Sequence, residues 1–590
     1  MKPSREGKNF CSIARLSMLA IFVSGCAGSD GGGRSPVGPV PYPIASNVQT
    51  TRDQTIVCGA KPAAPILLSD ISLFKDAGYG TWTLGAGTDD GKRVDIMGLG
   101  YDATAITKRG RLLNFFTISD LHITDKESPS QPIQFAKLHP AATSAYSPVM
   151  LYTTHVLDAA MQTVNALHQK NPIDFGISLG DTCNNTQYNE LRWYLDVIDG
   201  KVITPSSGAY AGADTIDYQK PYKAVGLDKS IQFYQALGNH DHFWIGTYPI
   251  SDYLKQSYIS DTIIALGDMF TSPTAMTERT YYMGVLNGST PYGTIVGAGL
   301  AKDFSSAPKI VADPTRRSLS KKEWMGEFFH TTSQPVGHGF TQTNLDNDFA
   351  SYSFQPKSTL PIKIIVLDDT QREDDANYNA YAHGSLDMER YNWLVNELEE
   401  GQADGQLMII AAHIPINVEY TEDKLVYPPK SFVGWSDSLA YKTQTELIAK
   451  LQSYPNLLLW IAGHRHLNTV MAFPSPVAGH PENGFWQVET SSLRDFPQQF
   501  RTFEINLNSD YTVSIITTDV DPAVSTGTPA ATARTYAIAA QQIANTSLDS
   551  NRNANPNFKA MPTITGSYNA ELIKQLSVAM IEKMRSLYVP

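Results

Sequence analysis

Positive charge is in short supply. Lysine and arginine number 46 against 58 aspartate and glutamate, a net charge of −12. Broad nucleic-acid binding needs cationic surface, so that balance argues against it, although a local basic cleft stays compatible. Long apolar runs are missing too. The run Leu16 to Val23 is too short to span a bilayer as a stable helix, and no other segment has transmembrane character. No internal repeat is visible, which excludes a repeat array. There are only four cysteines. What is present, 42% hydrophobic and 18% charged residues over 590 positions, describes an ordinary globular protein. Its length exceeds one simple core, so a large domain carrying insertions, or about two to three domains, is expected.

Lys2, Arg5, Lys8 and Arg15 precede the short apolar run, the layout of a targeting segment. The run closes in Val23-Ser24-Gly25-Cys26, which resembles the lipobox of bacterial lipoprotein signal peptides. The resemblance implies a signal peptide over 1–25 and lipid attachment at Cys26. The chain would then be exported and membrane-anchored on the periplasmic or cell-surface side. A plain secretory signal with a chance cysteine is the alternative. Residues 26–50 are rich in Gly, Ser and Pro and read as a flexible tether. Cys11 would leave with the signal, so Cys58 and Cys183 remain. An oxidising compartment would permit them to pair, and two residues alone leave that open.

Residues 51–111 mix short apolar runs with Gly-rich turns and read as a β-rich lead-in. From Leu112 strand-like runs alternate with helical spacing. Strands are expected at Leu112–Ile118, Phe175–Leu179, Phe233–Leu237, Ile362–Leu367, Leu407–Ala412 and Leu457–Ala462. Helices are expected around Leu157–Leu167, Glu190–Ile198, Met388–Leu398 and Thr443–Leu451. Such alternation implies an α/β domain. It spans 112–507 and is broken at 243–360 by a long polar stretch, expected to be an insertion or cap. Gly484–Glu489, Phe500–Leu507 and Thr512–Thr517 look like a second layer of strands. Residues 508–590 read as a C-terminal strand and helical tail, with Glu571–Leu587 as a docked helix.

Five short segments place metal-type ligands just after expected strands: Asp120-Leu121-His122, Gly180-Asp181, Gly238-Asn239-His240-Asp241, Ala412-His413 and Gly463-His464-Arg465-His466. In open α/β sheets the ligand crevice lies beyond the carboxyl ends of strands. A mixed carboxylate, amide and imidazole set suits divalent Mn, Zn or Fe. One Asp-x-His pair is usually a surface loop, and one buried histidine is usually core. Five such segments, in order and each closing a strand, are another matter.

In that order the segments resemble the motifs of the calcineurin-like metallophosphoesterase superfamily, across Leu112 to about Leu507. The resemblance implies an α/β fold of two stacked mixed β-sheets flanked by helices, here with a large insertion. It implies two divalent metal ions: Asp120, His122 and His466 on the first, Asn239, His413 and His464 on the second, and Asp181 bridging. It implies His240 as the histidine that protonates the leaving group, with Asp241 orienting it. Two cations about 3.5–4 Å apart can share a hydroxide that attacks phosphorus in line. The implied activity is hydrolysis of phosphate mono- or diesters, on a small molecule or a lipid head group. Two departures stand out. Ser119 replaces the commoner glycine before the first aspartate. Asn184 stands where purple acid phosphatases carry an iron-binding tyrosine, which speaks against a ferric-tyrosinate site.

Other residues have plainer readings. His242 is a candidate substrate contact or a loop histidine. Arg494, in Ser491-Ser492-Leu493-Arg494-Asp495, is a candidate phosphate contact, with a surface ion pair the plainer expectation. Asp368 and Asp369 end a strand without a partner histidine and read as structural. Two rival functions follow: a metal-holding binding or scaffold protein, and a nuclease, which export and acidity disfavour.

Overall fold

A computed structural model describes residues 48–587, apart from 61, 63–64, 140–141, 270–273, 375–381, 419–433, 438–439 and 555–567. The signal segment, Cys26 and nearly all of the tether lie outside the described residues. Among those residues no helix is long and apolar enough to cross a membrane.

The architecture is mixed α/β. One sheet has seven strands in the order β1 (Gly91–Arg93), β13 (Ala570–Lys574), β12 (Val513–Val520), β11 (Phe500–Asn508), β2 (Arg109–Ile118), β3 (Phe175–Ser178) and β4 (Gln232–Gln235). The other has six: β5 (Tyr352–Phe354), β6 (Ile362–Val366), β7 (Leu407–Ala411), β8 (Leu457–Ala462), β10 (Phe485–Glu489) and β9 (Thr469–Phe473). β2, β3 and β4 run parallel, as do β6, β7, β8 and β10. The central ones, β7 (LMIIA) and β8 (LLLWIA), read as continuous apolar runs because both of their faces are covered.

The sheets stack face to face through aromatics. Phe175 of the first sheet meets Phe354 of the second edge-on, with ring centroids 5.6 Å apart. Phe354 of the second sheet stacks on Tyr234 of the first at 3.6 Å. Trp486 donates its indole N–H to the Ile573 carbonyl across the seam at 3.1 Å. Helices cover the outer faces. Among them are α1 (Thr153–Lys170), α2 (Tyr188–Asp199), α3 (Met388–Ala403) and α4 (Gln444–Leu451). Three of them end or begin on local chemistry: Gly200 closes α2 at φ 71°, Asp387 caps α3 by accepting from the Arg390 N–H, and Thr443 with Glu446 forms a capping box for α4.

The stretch 243–360 holds a small antiparallel sheet (Ala265–Leu266, Tyr281–Asn287, Thr294–Leu300) and short helices. It shields the free edge of β4, whose Phe233 and Gln235 N–H groups donate to the carbonyls of Gln334 (2.6 Å) and His338 (3.0 Å). Its expected end at 360 lies past β5, which belongs to the second sheet. The expected boundary at 507 also falls inside the first sheet, because β12 pairs with β11 along eight residues.

One expectation about the tail is corrected. Ala570–Lys574 is a strand, and only Val578–Leu587 is helical. Leu572, Leu576, Met580 and Met584 are all buried at four-residue spacing, so a strand followed by a helix imitates one helix. A further helix, α5 (Pro529–Ala554), was not expected. Cys58 and Cys183 are both free thiols. Cys183 sits fully buried behind the Asp181 loop and Cys58 on a two-stranded hairpin.

Candidate metal centre

Strands from both sheets end at one place. The first sheet delivers Asp120 and His122 after β2, Asp181 after β3 and Asn239 after β4. The second delivers His413 after β7, and His464 and His466 after β8. Six of the seven are buried and His466 is half-buried.

The turns that do this are strained. Asp120 (φ 51°), His122 (46°), Asp181 (53°), His464 (73°) and His466 (58°) all occupy the left-handed region, at a cost of order 1 kcal/mol or more each for non-glycine residues. Such kinks let residues two apart aim at a common point. Backbone bonds hold them: Asp120 N–H donates to Gly180 O (3.2 Å), His122 N–H to Asp181 O (2.9 Å) and Gly463 N–H to His413 O (2.9 Å). The Asp120 carboxylate accepts from His464 N–H at 2.8 Å and from Ser119 Oγ at 2.6 Å, so the serine departure supports its neighbour. Gly463 is required here, since a Cβ would collide with Ser119 and the Asp120 carboxylate.

Two half-sites result. In one, Asp120 Oδ1 lies 3.3 Å from His466 Nε2, which lies 3.2 Å from His122 Nε2. His122 Nε2 is 3.7 Å from Asp181 Oδ2. In the other, the same Asp181 Oδ2 is 3.3 Å from His413 Nε2. That nitrogen is 2.8 Å from Asn239 Oδ1 and 3.2 Å from His464 Nδ1. Donors around one cation at bond lengths of about 2.1 Å sit roughly 3.0–3.4 Å apart, and most of these spacings fall near that range. Three groups, Asp120-His122-His466, His122-Asp181-His240 and Asp181-His413-His464, could each hold a metal ion.

The outer hydrogen bonds say which atoms face inward. His413 Nδ1 donates to Leu179 O at 2.9 Å, and His466 Nδ1 to Asp495 Oδ2 at 2.7 Å. The Asn239 amide nitrogen donates to Gly246 O at 3.0 Å, which turns its oxygen inward. Beyond its ion contact with His466, Asp120 Oδ1 is buried without a hydrogen-bond partner. Acceptor atoms therefore converge on two points, which is repulsive unless a cation or a proton sits among them. Without metal, protons answer. Burial opposes charge on His413 and His466, but Asp181 beside the first and Asp120 beside the second raise both to about 10. Burial and the nearby His413 push His464 down to about 3. The donor set thus fits a pair of divalent ions.

His240 stands next to the first half-site, its ring 4.4 Å from that of His122. Asp241 does not orient it. The Asp241 carboxylate instead accepts from the N–H groups of Thr182 (2.9 Å), Cys183 (3.1 Å) and Gly238 (2.9 Å), tying the Asp181 and Asn239 loops together. His240 Nδ1 donates to the Asn184 carbonyl at 2.7 Å, because that carbonyl already faces the ring where Asp241 cannot reach. Arg494 is likewise not a surface ion pair. It is buried, and its terminal nitrogens donate to Asn184 Oδ1 and Thr143 O, both at 2.6 Å.

Asp369 accepts from the N–H groups of His413 (3.2 Å) and Ile414 (3.1 Å) and so fixes a ligand-bearing loop. His242 is buried between Thr370 (2.9 Å) and Glu373 (3.2 Å). Asp495, the partner of His466, was missed in the sequence. It lies in the segment that drew notice for Arg494, and a carboxylate just past a strand end was its signal.

No family model matches the chain, and no curated protein matches it. Three solved structures are similar at low identity. A dimetal phosphatase from Danio rerio is 11% identical over 70% of this chain and 98% of its own, with a TM-score of 0.36. GAP50, the anchor in the inner membrane complex of Plasmodium, is 11% identical over 82% and 96%, TM-score 0.28. The sulfate thiohydrolase SoxB from Thermus thermophilus, in complex with glycerol, is 10% identical over 69% and 55%, TM-score 0.24.

Proposed function

We propose that this chain is a calcineurin-like metallophosphoesterase that hydrolyses phosphate mono- or diesters of a small molecule or lipid head group. One observation supports it above the rest. Seven donors from two sheets converge on two half-sites that share Asp181, with a non-ligand imidazole, His240, alongside. Divalent cations such as Mn, Zn or Fe, when bound, supply Lewis acidity that activates water and neutralises charge on phosphoryl oxygens.

The remaining work falls to the chain itself. Asp120, His122 and His466 would hold one ion, Asn239, His413 and His464 the other, and Asp181 both. His240 has Nδ1 committed to Asn184, so Nε2 is the atom from which a proton reaches the leaving oxygen. The reading includes export and a lipid anchor at Cys26.

The test is a panel of phosphomonoesters and phosphodiesters, including nucleotides and phospholipid head groups, run with Mn²⁺, Zn²⁺ and Fe²⁺. Metal-dependent turnover of at least one class is expected. Two bound metals without turnover on any of them would instead indicate a binding protein, and cleavage confined to DNA a nuclease.

A further inference from the structure

We propose that Arg494 is a positioning residue for the proton donor, acting on the His240 ring through Asn184. The proposal rests on the reading of His240 as that donor.

Asn184 is pinned on every side but one. Its N–H donates to Ile123 O at 3.0 Å. Its side-chain nitrogen donates to Gln131 Oε1 and Ser144 O, both at 3.2 Å. Its side-chain oxygen accepts from Arg494 at 2.6 Å. The two carbonyl-type acceptors on one side and the guanidinium on the other fix which amide atom is oxygen. What remains is the backbone carbonyl, and that group receives His240 Nδ1 at 2.7 Å.

A guanidinium suits this post because its planar fork reaches two acceptors on separate segments, Asn184 and Thr143, in fixed geometry. The charge is costly there: Arg494 is 1% exposed, both terminal nitrogens go to neutral oxygens, and Nε is buried without a partner. An apolar side chain would fill the same space without that penalty, so packing alone does not account for an arginine. The next residue has a parallel task. Asp495 holds His466 and accepts from Thr143 Oγ1 at 2.8 Å. Ser492 Oγ accepts both of their N–H groups, at 2.9 and 3.1 Å, and donates to Asp120 O at 2.6 Å. One turn thereby sets the donor imidazole and a ligand imidazole from consecutive positions.

Arg494→Met should slow hydrolysis of an alkyl phosphoester by about tenfold to a hundredfold, within the usual worth of a general acid. A nitrophenyl ester, whose leaving group departs unaided, should change by less than about threefold. Two metals per chain should remain. Asn184→Ala, which cuts the link without touching the arginine, should reproduce the pattern, and the double variant should be no slower than the slower single one. Arg494→Lys, able to reach one acceptor, should recover part of the loss. Independently of turnover, ¹⁵N-histidine NMR of the metal-free protein should show a hydrogen-bonded His240 Nδ1–H, assigned with His240→Asn. That signal should vanish or exchange fast in Arg494→Met. Equal losses on both substrates, lost metals, or an unchanged Nδ1–H signal in both single variants would each overturn the proposal. If the parent turns over no phosphoester, the NMR result alone decides the positioning role, and only the functional reading fails. Should Arg494→Met not fold, Asn184→Ala carries the same test.

Discussion

At the scale of single residues, the proposed reading divides the work between Asp181, which would hold metal, and His240, which would transfer a proton. Asp181 Oδ2 lies 3.3 Å from His413 and 3.7 Å from His122, so it faces both half-sites. Asp181→Asn should therefore cost more metal than any other single ligand change, which metal analysis after dialysis will show directly. A variant that kept two tightly bound ions would end the bridging assignment. His240 packs against His122 and donates its backbone N–H to Asp181 at 2.8 Å, and on the proposed reading its side chain would pass a proton rather than hold an ion. His240→Ala should slow alkyl phosphoesters by about 10²–10⁴-fold and nitrophenyl esters far less, with metal content unchanged. The donors that converge here were legible in the sequence because each follows a strand and belongs to a short motif. The partners were not. Asn184 acts through its backbone carbonyl, which no side-chain pattern advertises, and Asp495 reaches His466 from 29 residues away.

At the scale of elements, the strands that carry ligands were the easiest to read. β7 and β8 are buried on both faces, and their unbroken apolar runs, like the mostly apolar, buried stretch Leu112–Ile118 of β2, stand out from the turns around them. The tail was harder. Helix α5 is buried on consecutive positions from Tyr536 to Ala540, many of them alanine, so no apolar stripe at helical spacing marks it. The strand β13 disappeared into a helical rhythm shared with the residues after it. These late elements complete the first sheet, since β12 covers β11 and β13 covers β12. A chain of residues 48–508 should accordingly be insoluble or unfolded, whereas 48–590 should be soluble. Expression followed by sedimentation and circular dichroism tests this. A soluble, folded short form would show that the strands after 508 are dispensable.

At the scale of the whole molecule, the described fold runs from residue 48 and the proposed anchor lies before it. Cys26→Ser should move the protein from the membrane fraction to the soluble one. Identical detergent partitioning of mutant and parent would dismiss the lipid. The centre also has a mechanical side. Each half-site takes donors from both sheets, and His122 and His466 meet across 344 residues of chain. Ions bound there would act as rivets through the seam of the sandwich, closing very long loops, the kind of cross-link that restrains an unfolded chain most. Chelation should act on this protein as reduction acts on a disulfide-bonded one: the melting temperature falls, and amide exchange rises first where β2 and β8 end rather than evenly along the chain. An ion held a hundredfold above its dissociation constant is worth about 2.7 kcal/mol to the folded state. On the proposed reading, the ions that would serve catalysis would also set how long the folded chain survives in the presence of competing chelators.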